Sequence, residues 1–287
     1  MLLGAVNSFG QNARTRGMGM AGYVLADDEA VLFYNPAGLG LKNGRWNGGA
    51  VSYFPDVADE RQRHVLSIAY KNEKLDMLGF SGQFYQLYPG FYESSIGSGW
   101  RFFSNDIIDN SIGISLKLYD YSRGTVFYGD AGYLFQVIKR FRIGAVVKTI
   151  PLDGNVQTPF LFTGIGYKDS FNGNTYHVID ISTELTYGHW LFYPFTNDAY
   201  FKGNLNYGFE LTFLKSFSGR FGFETILSQM TLSPTIGTGI SLFNHFDIDI
   251  FAYMDANHWY WDSPSGISFS FKRILNWSRS DLNWWYK

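Results

Sequence analysis

Phe201-Lys202-Gly203-Asn204-Leu205-Asn206-Tyr207-Gly208-Phe209-Glu210-Leu211-Thr212-Phe213 alternates along its whole length. The odd positions carry Phe201, Leu205, Tyr207, Phe209, Leu211 and Phe213; the even ones carry Lys202, Asn204, Asn206, Glu210 and Thr212. In an extended chain successive side chains point to opposite faces, so this stretch is a strand with one apolar and one hydrated face.

Outward from it, the same division recurs. Ile112, Ile114, Leu116 and Leu118 oppose Ser111, Gly113, Ser115 and Lys117, and comparable runs cover Phe141 to Ile150, Ile179 to Tyr187, Ile236 to Leu242, Phe246 to Met254 and Ile267 to Phe271. Reading every such run predicts an all-β chain of about fourteen strands, an even number that leaves both ends of a closed antiparallel sheet on one side. Strands of about ten residues are long enough to cross a bilayer when tilted.

The connections alternate as well. Short ones, such as Lys71 to Leu75, Ile138 to Phe141, Lys215 to Gly219 and Phe243 to Phe246, interleave with longer or more polar ones: Pro55 to Gln62, Pro151 to Gln157, His189 to Tyr200 and Asp255 to Ser265. Tight turns on one rim and larger loops on the other are the pattern of a transmembrane barrel. Asp169 to Thr175 departs from it, being long on the short-turn side.

Composition narrows the setting. Of 287 residues 19% are aromatic, with 27 Phe, 20 Tyr and 8 Trp, while 17% are charged and the formal net charge is -2. No basic run offers phosphates a partner, which argues against nucleic acid. The absence of cysteine rules out disulfides and thiolate metal sites. No stretch reaches the roughly 18 to 20 apolar residues of a spanning helix. The start, MLLGAVNSFGQNARTRG, lacks the basic and apolar regions of a secretory signal, so an exported form is expected to be mature. Aromatic residues crowd expected strand ends, at Tyr85, Tyr88, Trp100, Phe102, Phe103, Tyr119, Tyr121, Trp190, Trp259 and Trp261; amphipathic rings favour headgroup depth. A soluble barrel of this strand number would enclose more volume than side chains fill, whereas an apolar exterior facing lipid removes the difficulty.

Ahead of the first strand lies Ala26 to Leu39, ADDEAVLFYNPAGL. Asp27 and Asp28 are placed to cap a short helix over Glu29 to Tyr34, Pro36 forbids its continuation, and Gly38 closes the turn. Gly17-Met18-Gly19-Met20-Ala21-Gly22 spells a dinucleotide-binding fingerprint, but NSFGQNARTR precedes it in place of a buried strand and no second strand follows. A tightly packed glycine-rich segment is the better reading.

Ala13-Arg14 with Gly17-Met18-Gly19, Ala26-Asp27-Asp28-Glu29-Ala30 and Asn35-Pro36-Ala37-Gly38-Leu39 resemble the N-terminal signature of FadL-like outer-membrane transporters, including the PorV-type barrels of type IX secretion. The resemblance implies a fourteen-stranded barrel in the outer membrane of a Gram-negative-type bacterium, with an N-terminal hatch whose Asn-Pro-Ala turn lies in the lumen; it carries that turn onto Asn35, Pro36 and Ala37. Met20-Ala21 departs from PorV-like sequences, and the chain is short for a fatty-acid transporter.

The expected organisation is a hatch or plug over 1–45, a transmembrane barrel over 46–275, and an aromatic tail over 276–287 with Trp277, Trp284, Trp285 and Tyr286. Asn35 to Gly38 form the expected gate. Gly79, Gly82, Gly97 and Gly99 are candidates for a wall kink that opens a lateral exit. No hydrolase elbow or zinc-protease pair occurs, so no enzyme, cofactor or metal site is expected. Asp247, Asp249 and Asp255 read as lumen-facing polar residues rather than cation ligands. The leading function is passive uptake of small hydrophobic molecules across the bilayer; the alternative is a PorV-like component that binds cargo or docks on a translocon.

Overall fold

The computed structural model describes residues 12–28, 30–41, 48–55, 62–71, 78–88, 91–105, 107–121, 124–138, 140–152, 160–169, 174–184, 203–213, 216–226, 231–242, 246–255 and 260–271, and the structural statements below concern these. The strands are β1 (Gly48–Pro55), β2 (Gln62–Lys71), β3 (Leu78–Tyr88), β4 (Phe91–Ser104), β5 (Ile108–Tyr121), β6 (Gly124–Val137), β7 (Phe141–Pro151), β8 (Phe160–Asp169), β9 (Asn174–Glu184), β10 (Gly203–Phe213), β11 (Phe217–Ile226), β12 (Thr231–Leu242), β13 (Phe246–Asp255) and β14 (Tyr260–Phe271). Each is hydrogen-bonded to its neighbours in sequence, and β1 pairs antiparallel with β14, Val51 opposite Phe269, so the sheet closes on itself.

Alternation sets what faces each way. On β5, Ile112, Ile114 and Leu116 are exposed on the outer face, and Ser111, Ser115 and Lys117 are buried on the inner one. The same holds on β10 and β11, where Phe213, Phe217 and Phe221 face out and Asn206, Glu210 and Arg220 face in. A continuous apolar exterior of this extent has no stable arrangement in water and marks a surface that faces lipid.

Residues 12–28 and 30–41 cross the interior. They form a short helix α1 (Ala13–Arg16), a second helix α2 (Val31–Tyr34) and a 3-10 turn over Pro36–Gly40. Their apolar side chains, among them Met18, Val24, Leu32, Tyr34 and Leu39, are almost fully buried and make the main hydrophobic cluster together with Ala69, Leu134, Val146, Phe162 and Phe251 of the wall.

Several details differ from what the sequence suggests. β14 begins at Tyr260, well before the expected start near residue 266: the register with β13 shifts between Phe251 and Tyr253, and this irregularity accommodates the stretch around Pro264 that read as loop. β12 likewise runs back through Pro234 to Thr231. The link after β8 is 170–173, because both flanking strands extend further into it. Tyr119 lies near the end of β5 but not on its outer face; it points inward, buried, with its ring edge on to Tyr128 at 5.1 Å.

The register across β3 and β4 runs unbroken from Leu78–Trp100 to Gln86–Tyr92, through Gly79–Gly99 and with Gly82 opposite Ile96. The wall therefore has no bulge at Gly79, Gly82, Gly97 or Gly99. The shifts fall elsewhere, between Gln86 and Tyr88, between Arg101 and Phe103, and between Gly129 and Ala131. Opposite this last one, β7 carries an extra residue at Lys148-Thr149, with Thr149 at φ 59°. Residues 185–202 and 272–287 and Glu29 lie outside the described residues, and with them Trp190, Trp277, Trp284, Trp285 and Tyr286.

Candidate functional site

The interior segment rests on the two opposite sides of the barrel, and each side holds it by different chemistry. Asn12 starts α1, its side-chain oxygen accepting from Thr15 N at 3.1 Å. That turn aims Arg14 at the wall. Its Nε and Nη2 donate to the two oxygens of Glu210 on β10 at 2.9 and 3.0 Å, a forked carboxylate pair. Its Nη1 donates to Asp27 at 2.7 Å and to Asp28 at 3.2 Å. Glu210, 0% exposed, also accepts from Arg220 Nε at 2.6 Å, and Arg220 Nη1 donates to Asp249 on β13 at 2.6 Å. The chain of ion pairs runs from the segment across β10, β11 and β13. Burial opposes the charge on Arg14, but Glu210, Asp27 and Asp28 outweigh it and hold the guanidinium firmly protonated.

Asp27 is therefore not a cap of α2, and only Asp28 accepts from an amide at its start. The residue before α2 is Ala30, which makes no side-chain cap bond. Asp28 accepts from Ala30 N at 3.0 Å, a local turn, and from Asn12 Nδ2 at 3.1 Å; Asp27 has a second cation, Arg142 of β7, at 3.7 Å. Arg142 also donates to the Leu25 carbonyl. Tyr34 closes the fold of the segment on itself, its hydroxyl 2.8 Å from Thr15 Oγ1 and donating to Asn12 Oδ1 at 2.9 Å; burial, with the Asp28 charge, pushes this phenol well above its ordinary pKa.

On the opposite side the wall is stripped of side chains. Gly99, Gly113 and Gly132 stand directly opposite one another on β4, β5 and β6, and the Asn35-Pro36-Ala37 backbone lies along this row. A Cβ on Gly99 would come within 2.6 Å of the Pro36 carbonyl oxygen and 2.9 Å of Gly40 N; one on Gly113 would strike the Pro36–Ala37 peptide, and one on Gly132 the Asn35 side chain. Gly97 makes the same kind of room for Leu32. Gly97 and Gly99 thus serve as a seat. Gly82, by contrast, has only the Ser95 carbonyl near it, at 3.9 Å.

Asn35 is extended, as a residue before proline is obliged to be, and its Oδ1 accepts from Ala37 N at 3.0 Å to open the 3-10 turn. Its Nδ2 donates to the carbonyls of Tyr133 and Ala145, both at 3.2 Å, bridging β6 and β7. Gly38 leaves no space for a Cβ against Ala26 and Val31, and Leu41 N donates to its carbonyl at 2.9 Å. Lys148, at the β7 bulge, donates to the Phe33 carbonyl at 2.6 Å, over the rings of Tyr23 and Phe162.

Asn35→Ala removes three hydrogen bonds, each contributing about 1 kcal/mol. Exchange of the Gly38 and Leu41 amides is expected to quicken about tenfold or more. Unchanged protection of these amides is the contrary result.

The glycine-rich fingerprint is absorbed in the same way. Gly19, at φ 64°, is wedged between the backbones of Tyr207 and Phe223, and Gly17 faces Gly237. It is a packing element of the segment and touches no ligand chemistry. Among the described residues no group of metal-ligating side chains is assembled; Asp249 is held by Arg220.

Fold and site together define a lipid-facing β-barrel whose lumen is crossed by its own N-terminal segment. By sequence, no family model and no curated relative matches the chain. By structure, it is similar to a protein described as the CymD monoaromatic hydrocarbon channel, with a TM-score of 0.60 at 12% identity over 93% of this chain and 98% of that one. It is similar also to the P. putida toluene transporter TodX, with 0.59 at 10% identity over 92% and 99%, and to a Pseudomonas aeruginosa FadL homologue, with 0.55 at 8% identity over 92% and 98%. The fold is that of the FadL-type transport barrels.

Proposed function

We propose that this protein is an outer-membrane channel for the passive uptake of small hydrophobic molecules, with residues 12–41 acting as a hatch and Asn35 to Gly38 as its gate. The observation that carries the reading is the segment itself, buried across the lumen of a barrel whose outside is apolar. An open aqueous pore has no use for such a crosspiece. Support for the cargo class comes from the neighbours that share the fold, described as a monoaromatic hydrocarbon channel and a toluene transporter.

In this reading an apolar solute enters from the rim of longer connections, partitions against the apolar residues of the segment, and passes when the Asn35–Gly38 turn lifts from the glycine row. The driving force is transfer of apolar surface out of water. The row is suited to a reversible seat, because the turn is held there by backbone contact and by the Asn35 side chain, while the ion pairs of Arg14 tether the other half. A secretion-system partner finds no support among these neighbours.

Uptake into liposomes tests the proposal. The purified barrel is expected to pass toluene while conducting ions poorly, and Asn35→Ala to change the rate. A barrel that passes no apolar solute overturns it.

A further inference from the structure

Between the seat of the Asn35 turn and the rim of longer connections, the inner faces of β4 to β7 carry a compact polar patch. The pairing fixes its layout: Ser95 stands opposite Lys117 and Lys117 opposite Tyr128; Gly97 opposite Ser115 and Ser115 opposite Asp130; Glu93 opposite Tyr119. Its carboxylates already have a cation between them. Lys117 lies 2.8 Å from Asp130 and 3.7 Å from Glu93. Asp130 accepts from Thr149 N at 2.9 Å, and Lys148 donates to the Phe33 carbonyl. Both carboxylates thus share Lys117, and the Lys148 ammonium is spent on a carbonyl of the segment.

The hydroxyls are not matched. Ser95 and Ser115 are each 3% exposed, and neither Oγ has a hydrogen-bond partner among the described residues. Both lie on the inner face beside Lys117, next to the Tyr119–Tyr128 ring pair. Buried hydroxyls are ordinarily paired, and a pair of them left over in a polar, aromatic-flanked patch points to a ligand group that completes them.

Resting on the transport reading above, we propose that the cargo is not a bare hydrocarbon but an uncharged molecule with one hydroxyl, an alcohol or phenol, whose oxygen is received by Ser95 and Ser115 while its apolar part lies against Tyr119, Tyr128 and Leu32. A carboxylate fits poorly: it would be buried beside Glu93 and Asp130, two charges of its own sign, with Lys117 already taken by both. A hydrocarbon leaves both hydroxyls unpaired, and a site built to hydrogen-bond discriminates against the analogue that lacks the group.

The test compares toluene, p-cresol and p-toluate, three molecules with one ring skeleton, by binding to the folded barrel and by uptake into liposomes. p-Cresol is expected to bind about tenfold or more tightly than either of the others, the ratio that one well-made hydrogen bond supplies. In Ser95→Ala/Ser115→Ala, with folding checked by heat-modifiable mobility, the p-cresol to toluene ratio falls towards one. Toluene bound and transported as well as p-cresol by the unaltered protein overturns the hydroxyl site and leaves the transport reading standing. Failure to take up any of the three overturns both.

Discussion

Arg14→Met is expected to free the first half of the interior segment from the wall. The side chain is fully buried and engages Glu210, Asp27 and Asp28 together; removing one partner of a buried network costs about 3–5 kcal/mol, chiefly because the remaining charges are left buried without compensation. Glu210 keeps Arg220, so the damage concentrates on Asp27 and Asp28, which belong to the segment. Chymotrypsin is expected to cut at Tyr23 and Phe33 in the variant while the barrel stays resistant. Arg14→Lys does not restore protection, since a single ammonium cannot reproduce the fork to Glu210 and reach the aspartates as well. Cleavage no faster than in the unaltered protein refutes the tether.

The second large effect comes from the opposite wall. Gly113→Leu drives a side chain into the Pro36–Ala37 peptide, and backbone, unlike the end of a flexible side chain, has no rotamer through which to yield. Overpacking of this kind costs about 1–3 kcal/mol or more, and the least costly relief is for the turn to leave its seat. Ion conductance in planar bilayers is expected to rise. Gly219→Leu is the control: it makes the same chemical change at a β11 glycine with open space around it, and conductance should not move. Equal conductance in the two variants defeats the idea that the glycine row holds the gate.

How much of this was legible in the sequence can be traced residue by residue. The alternation of Phe201 to Phe213 and of Ser111 to Tyr121 gave the strands and their two faces, because period-two patterning is a local property. That same parity places Tyr119 with Ser115 and Lys117 on the inner face; reading it as a rim aromatic let residue type override position. Even the Glu210–Arg220 pair lies within reach of the pattern, since both sit on the polar face of consecutive strands and stand opposite each other in the ladder.

Other features were closed to a local reading. Asp27 and Asp28 have the look of helix caps because capping is decided within four residues, whereas their partner Arg14 depends on how the segment folds back. The link from Arg14 to Glu210 spans 196 positions of chain. The glycines of β4 suggested a bend in the wall, since a missing side chain permits bending as readily as close approach; only the position of the Pro36 turn tells the two apart. Pro234 and Pro264 hid the starts of β12 and β14 by interrupting strands that nevertheless continue.

One consequence follows from where the segment is fastened. β5 and β12 lie seven places apart in a ring of fourteen strands, and the interior chain grips both sides, by Pro36 on Gly113 and by Gly19 on Thr235, whose hydroxyl accepts from Gly19 N at 2.8 Å. It is therefore a tie across a diameter. A thin cylindrical shell under sideways load flattens with little resistance, but a shell braced across its width stays round until the brace gives. A sideways load on this barrel is therefore borne by the interior segment and its two fastenings as well as by the ladder of the wall.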